Sequence, residues 1–194
     1  MKKLIKFILC GCLLCGCTSN EKEPPVVDPV KIVSNEIYED PKNPNANYTL
    51  AFNKLSEDLD KKDYAAVAED VAICFVYDFF TLSNKTDASD VGGLAYLPKN
   101  RAEEFKDYAE KYFYKNYPSL VNEYGQENLP EVKNVIVESK AEVEVEYLGY
   151  TYDGYEFTIV AEYNDTSIPK DKLKTNMTIS CLVYDGKALL ITLK

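Results

Sequence analysis

The spacing of apolar residues changes once along this chain, near residue 130. Before that point it follows a helical period. Leu50, Ala51, Leu55 and Leu59 predict a helix over about 49–60, with Glu57, Asp58, Asp60, Lys61 and Lys62 on its wet side. Asp63 is placed to N-cap a second helix running to about Leu82. Tyr64, Val67, Val71, Phe75, Phe79 and Leu82 form one stripe of it. Ile73, Val76, Tyr77 and Phe80 make its second half apolar on the opposite side as well. A helix apolar all round must be covered on two sides, by a sheet and by another helix. Leu94-Ala95-Tyr96-Leu97 reads as a short extended piece. Phe105, Tyr108, Ala109, Tyr112 and Phe113 then predict a third helix over about 100–116, and Pro118 opens a short piece ending near Gly125.

After Pro130 the period becomes two. Val132, Val135 and Val137 begin it, with Ile136 out of phase. Val143, Val145 and Tyr147 alternate with Glu142, Glu144 and Glu146, which predicts one buried and one wet face. Asp153-Gly154 and Asp185-Gly186 carry the composition of hairpin turns. Between them, Tyr155, Phe157, Ile159, Ala161 and Tyr163 form one inner face; Leu173, Thr175, Met177, Ile179, Cys181 and Val183 form the next. The expected class is α+β, with N-terminal helices packed on a four-stranded antiparallel meander. The expected folded domain is 48–194.

Few residues stand out chemically. Asp78 sits in Phe75-Val76-Tyr77-Asp78-Phe79-Phe80, where an acid must find a donor or take an elevated pKa. It reads as a pocket carboxylate, with Tyr77 and Tyr112 as neighbours, or as an acid bonded to a tyrosine hydroxyl, an amide or water. Arg101, the single arginine, would clamp an anion or make a structural pair. Tyr108, Tyr112, Tyr114, Tyr117 and Tyr124 would line a binding face or fill a core. The row Glu142, Glu144, Glu146 shares a strand face but lacks oxygens converging from other segments, so a solvated face is preferred to a cation site. Cys74 and Cys181 are either a disulfide or two small buried hydrophobes.

Composition removes several chemistries. The chain has no histidine, hence no Ser-His or Cys-His nucleophile pair and not the usual zinc ligands. Its glycines show no phosphate-loop or dinucleotide spacing. No cofactor is expected.

The first residues carry an address. Lys2, Lys3 and Lys6 precede the apolar run from Phe7 to Leu14, too short to cross a bilayer as a helix, which takes about 20 residues. Leu14-Cys15-Gly16-Cys17 then resembles the lipobox of bacterial lipoproteins. Leu9-Cys10-Gly11-Cys12 is a second match, but leaves almost no apolar run before it. The resemblance implies removal of residues 1–16 as a signal peptide and lipid on the Cys17 thiol; an ordinary cleaved leader without lipid is the alternative. Two acyl chains on Cys17 would give stable anchoring at the extracytoplasmic face of the cell membrane. Without the three leader lysines, 19 basic residues face 32 acidic ones, a formal charge of −13. That charge opposes binding to nucleic acid or anionic lipid. Residues 17–47, rich in Pro, Asn, Glu and Lys, read as a disordered tether.

The element order over 48–194 is similar to the nuclear-transport-factor-2-like fold. The resemblance implies a curved sheet wrapped around a long helix as a cone. It rests on order alone and carries no functional residue across. Enzymes of that superfamily use His, Asp or Tyr inside the cone, and histidine is missing here. The expected function is a non-catalytic, lipid-anchored domain that contacts a protein partner at the cell surface. The alternative is a small-ligand module using the mouth of the cone.

Overall fold

The computed structural model describes residues 30–194. The leader, Cys17 and the first part of the expected tether lie outside them. Four helices precede a curved, open, four-stranded antiparallel sheet: α1 Ala46–Lys61, α2 Tyr64–Phe80, α3 Lys99–Tyr112, α4 Tyr117–Tyr124, then β1 Val132–Tyr147, β2 Tyr150–Tyr163, β3 Asn176–Tyr184 and β4 Lys187–Leu193. The strands follow one another in sheet order, as a meander does.

The helices start where polar caps are available. The Asn45 side chain accepts from the Tyr48 amide at 2.8 Å, and Asp63 accepts from the Ala66 amide at 3.1 Å. α2 lies on the concave face of the sheet, touches all four strands, and has α1 against its other side. Val67, Val71, Phe75 and Phe79 from α2 meet Phe157, Ile159, Ile179 and Cys181 in one core. The piece at Leu94–Tyr96 is a 3-10 turn, not a strand. Pro98 follows it, and α3 opens at Lys99.

Part of the expected tether belongs to the domain. Residues 30–45 lie along α1 and cross to the sheet edge. Asn53 holds this segment at both ends of a short stretch, accepting from the Val33 amide at 2.7 Å and donating to the Lys31 carbonyl at 2.8 Å. Tyr38 is buried, and its hydroxyl donates to the Ala188 carbonyl at 2.7 Å while accepting from the Ala188 amide at 3.1 Å. One hydroxyl thus satisfies both backbone groups that β4 presents at that point of its open edge. Proline and polar composition concealed this, because one buried tyrosine and a few hydrogen bonds to Asn53 and Ser56 carry the docking.

Two turn signals had different fates. Asp185-Gly186 is the β3–β4 turn, with φ of 50° and 75° at its two residues. Asp153-Gly154 lies inside β2 instead, and the β1–β2 turn is Leu148-Gly149, with φ of 52° and 79°. Gly154 is a glycine for another reason: a Cβ there would stand 2.5 Å from the Cys181 carbonyl oxygen and 2.6 Å from a Val145 methyl.

A bulge redirects β1. Val135 and Val137 pair with Ala161 and Ile159 on the core face, but the register shifts between Val137 and Ser139. Beyond the shift, Lys140 and Glu142 pair with Phe157 and Tyr155, so Lys140, Glu142, Glu144 and Glu146 take the core-face phase. Lys140 reaches across to the Ala65 carbonyl at 2.8 Å and lies over the Tyr155 ring. Val143, Val145 and Tyr147 turn to the convex side. There Val145 and Leu182 are buried outside the main core, and Tyr152 meets Tyr184 edge-on at 5.5 Å. The β1–β2 hairpin therefore extends past the three-strand region as an arm. The Tyr147 hydroxyl at its end donates to Asn100 in the first turn of α3. At the tip, Leu148 holds a left-handed conformation that costs a leucine about 1–2 kcal/mol.

Tyr38→Phe should destabilise the domain by about 2 kcal/mol in urea unfolding, because it leaves both Ala188 backbone groups without their partner. An unchanged midpoint would show that the bonds of the Tyr38 hydroxyl to Ala188 contribute nothing to stability.

Candidate binding groove

The sequence singled out Asp78, Tyr77 and Tyr112 together, and the fold separates them. Asp78 ends α2 facing a turn. Its Oδ1 accepts from Lys85 Nζ at 2.8 Å and its Oδ2 from the Gly93 amide at 2.7 Å. The Lys85 side chain is only 4% exposed, so this is a nearly buried ion pair. Gly92 packs so closely here that a Cβ would stand 2.2 Å from the Asp78 carbonyl oxygen. The Lys85 carbonyl in turn accepts from the Tyr117 hydroxyl and from Gln126 at 2.9 Å. Asp78 thus staples the loop after α2 to the helix end and lines only a polar cleft of about 120 Å³. Tyr77 is buried and stacks on Tyr48 with ring centroids 5.8 Å apart. Tyr112 is 60% exposed at the end of α3.

Buried tyrosines form a cluster between the N-terminal segment and α2. The hydroxyls of Tyr48 and Tyr96 are 2.9 Å apart, and the Tyr38 ring tilts against Tyr96 at 5.6 Å. Burial pushes Tyr38, Tyr48, Tyr77 and Tyr96 upward in pKa, so all four remain protonated. Cys74 and Cys181 are both buried free thiols, which corrects the disulfide alternative. Burial raises both of them too, which keeps them from the thiolate form that reacts. Two hydrophobic slots in a filled core explain them without a bond.

One titratable cluster was not foreseen. Asp70 on α2 is 2% exposed, and its Oδ1 accepts from Lys54 on α1 at 2.7 Å. Lys54 also donates to Asp58 at 2.8 Å, and Lys61 reaches Asp58 at 3.2 Å. The Asp70 Oδ2 has no hydrogen-bond partner. Burial, opposed by Lys54, pushes Asp70 up to about 7, while the Lys54 hydrogen bond holds Asp58 below its ordinary value.

The hollows with binding character lie elsewhere, between α3, α4 and the β3–β4 end of the sheet. One, of about 530 Å³, has Leu97, Phe105, Tyr108, Leu190 and Leu193 in its walls. The next, of about 510 Å³, has Leu82, Leu120, Tyr124, Tyr163 and Leu173. They share Phe80, Phe113 and Lys174, so they form two halves of one apolar groove. Arg101, Lys174 and Lys194 rim the first half and Lys172 the second, with Glu104 the one acid among the lining residues. Arg101 is oriented by a 3.0 Å bond from its Nη1 to the Ile191 carbonyl. Tyr108 and Tyr112 tilt against each other at the α3 end, 4.6 Å between centroids. Of the residues singled out by sequence, Arg101, Tyr108, Tyr114 and Tyr124 meet here. Lys172, Lys174 and Lys194 were missed because they flank β3 and β4 far along the chain and show no local pattern.

The inside of the curved sheet is filled by α2, so the groove is an outer feature of the domain. Among the described residues, no group of three or more Cys, Asp or Glu side chains is placed to hold a metal, and no helix is long and apolar enough to cross a membrane. Fold and groove together define an α+β domain with a cation-rimmed apolar hollow on its surface. No protein-family profile, curated protein or solved structure matches this chain.

Two outcomes follow. Asp70 has its ordinary value of 3.8 when unfolded and one near 7 when folded, so folding favours its proton. Its contribution to stability is complete below about pH 4 and declines as pH rises toward 7. Asp70→Asn removes that decline. Wild type should lose roughly 2 kcal/mol relative to the variant between pH 4 and pH 8 in urea unfolding, and parallel profiles would refute the assignment. Asp78→Asn weakens the acceptor of a buried lysine and should cost about 3 kcal/mol, with groove binding intact.

Proposed function

We propose that this chain is a lipid-anchored, extracytoplasmic binding domain of the nuclear-transport-factor-2-like kind. It acts by contact with a protein rather than by catalysis. Lipid on Cys17 holds it to the membrane. Its groove takes an apolar segment of a partner protein flanked by acidic residues. The observation that carries this reading is the charge of the rim. A chain with a formal charge of −10 places Arg101, Lys172, Lys174 and Lys194 around its principal apolar hollow. Such a rim steers an acidic partner to an apolar floor. The protonated tyrosines and thiols of the core support a non-catalytic role. A second reading, a small anionic amphiphile, is favoured by the volume of each half, which falls within the ~300–1,000 Å³ of small-molecule sites.

The test takes two measurements on whole cells. Cys17→Ala should move the protein from the membrane fraction to the soluble fraction; a variant still membrane-bound and acylated overturns the anchor. Surface cross-linking followed by capture should give one reproducible protein with the wild type, lost in Lys172→Glu/Lys174→Glu. Capture that the charge reversal leaves unchanged overturns the groove.

A further inference from the structure

The arm and the groove are complementary. The tip of the β1–β2 hairpin exposes 69% of Leu148 and 69% of Tyr150, and Tyr184 beside it is 57% exposed. These are large apolar groups at the end of a projecting element, where solvation favours polar ones. A two-residue turn with positive φ at both positions ordinarily takes Asn, Asp or Gly at the first. Here that position is Leu148. Behind the tip, Glu144 faces Asp153 directly across the strand pair, and Glu142 and Glu146 share that face. Like charges in direct opposition weaken a hairpin. The arm therefore combines an apolar point, an unfavourable turn residue and a repulsive acidic stem. All three are adverse to the isolated chain; against a basic-rimmed apolar hollow the apolar point and the acidic stem become favourable, and burial of the Leu148 side chain offsets the cost of its backbone.

The chain itself has such a hollow. Arg101, Lys174 and Lys194 surround the floor made by Phe80, Phe105 and Leu193. Resting on the groove reading above, we infer that the groove's partner is a second copy of this chain, which inserts Leu148 and Tyr150 into it while Glu144 and Glu146 meet the rim cations. The Tyr147–Asn100 bond seats the base of the tip on α3, next in sequence to Arg101 at one end of the groove. A two-fold pairing lets both copies exchange tips at once. The same acids argue against the bilayer as occupant, since they repel anionic headgroups.

The test is sedimentation of the full chain in non-ionic detergent across a concentration series. Wild type should double in mass. Leu148→Asp, at an exposed turn, and Lys172→Glu/Lys174→Glu, on the rim, should each weaken dimerisation by about tenfold or more. Mixing the rim variant with Glu144→Lys/Glu146→Lys should restore the heterodimer, which misfolding of either variant would not do. Full chains carrying Leu148→Cys and Lys174→Cys, mixed and oxidised, should give a covalent dimer. A monomer at every concentration, or a dimer indifferent to both sets of substitutions, overturns the inference. If that monomer still captures another protein through its rim lysines, the groove reading stands and only self-recognition falls.

Discussion

The second helix has more apolar surface than any single layer can cover, and the rest of the domain is arranged around that excess. Its stripe of Val67, Val71, Phe75 and Phe79 faces the sheet, while α1 covers the other side. A helix covered on both sides cannot tolerate unpaired polar groups, so each acid on it has to be matched. Asp78 is matched by Lys85 and the Gly93 amide at the helix end. Asp70 is matched on one oxygen only, and its burial, opposed by Lys54, favours its proton. The same demand explains Gly92 and Gly93: the loop must lie so flat on the last turn of α2 that side chains would strike Asp78 and Phe75.

Much of this was legible in the sequence. The two-sided helix, its Asp63 cap, the change of period near Pro130 and the four-strand meander all follow from local pattern. The exceptions share one cause, since each depends on a contact distant in sequence. Residues 30–45 read as tether because proline and polar composition dominate them. One buried tyrosine, 150 residues from Ala188, ties them down. Asp153-Gly154 has the composition of a turn, but Gly154 is there to admit the Cys181 carbonyl from the neighbouring strand. The strand-end lysines of the groove carry no local signal. Asp78 did stand out; of the partners its alternative reading named, the fold supplies the amide, that of Gly93, and adds Lys85, which the reading had not named.

The bulge after Val137 links the core of the fold to its projecting arm. Without it, Val143 and Val145 would continue the core face of β1 and the glutamates would line the convex side. With it, the valines move outward to meet Leu182, and the arm acquires a small apolar layer of its own. That layer lets the hairpin continue beyond the reach of α2. The bulge therefore provides a projecting element without adding a helix to support it.

Local conflict is not spread evenly over this domain. Where the chain needs left-handed backbone elsewhere, it uses Asn43, Lys62 after α1, Asp185 and glycines, residues that meet it at a helix end, in a loop or at a polar turn. At the arm it uses an exposed leucine, and sets two acids opposite one another immediately behind it. A sequence shaped only for stability would place Asn-Gly at that turn and opposite charges on that stem. Sites that break the rules kept by the rest of a chain are where a second requirement acts. In this fold that requirement meets, one residue from the arm's anchor on α3, the half-open apolar hollow rimmed by Arg101, Lys174 and Lys194. The proposed contact between two copies accounts for the unfavourable arm and the cation-rimmed groove together.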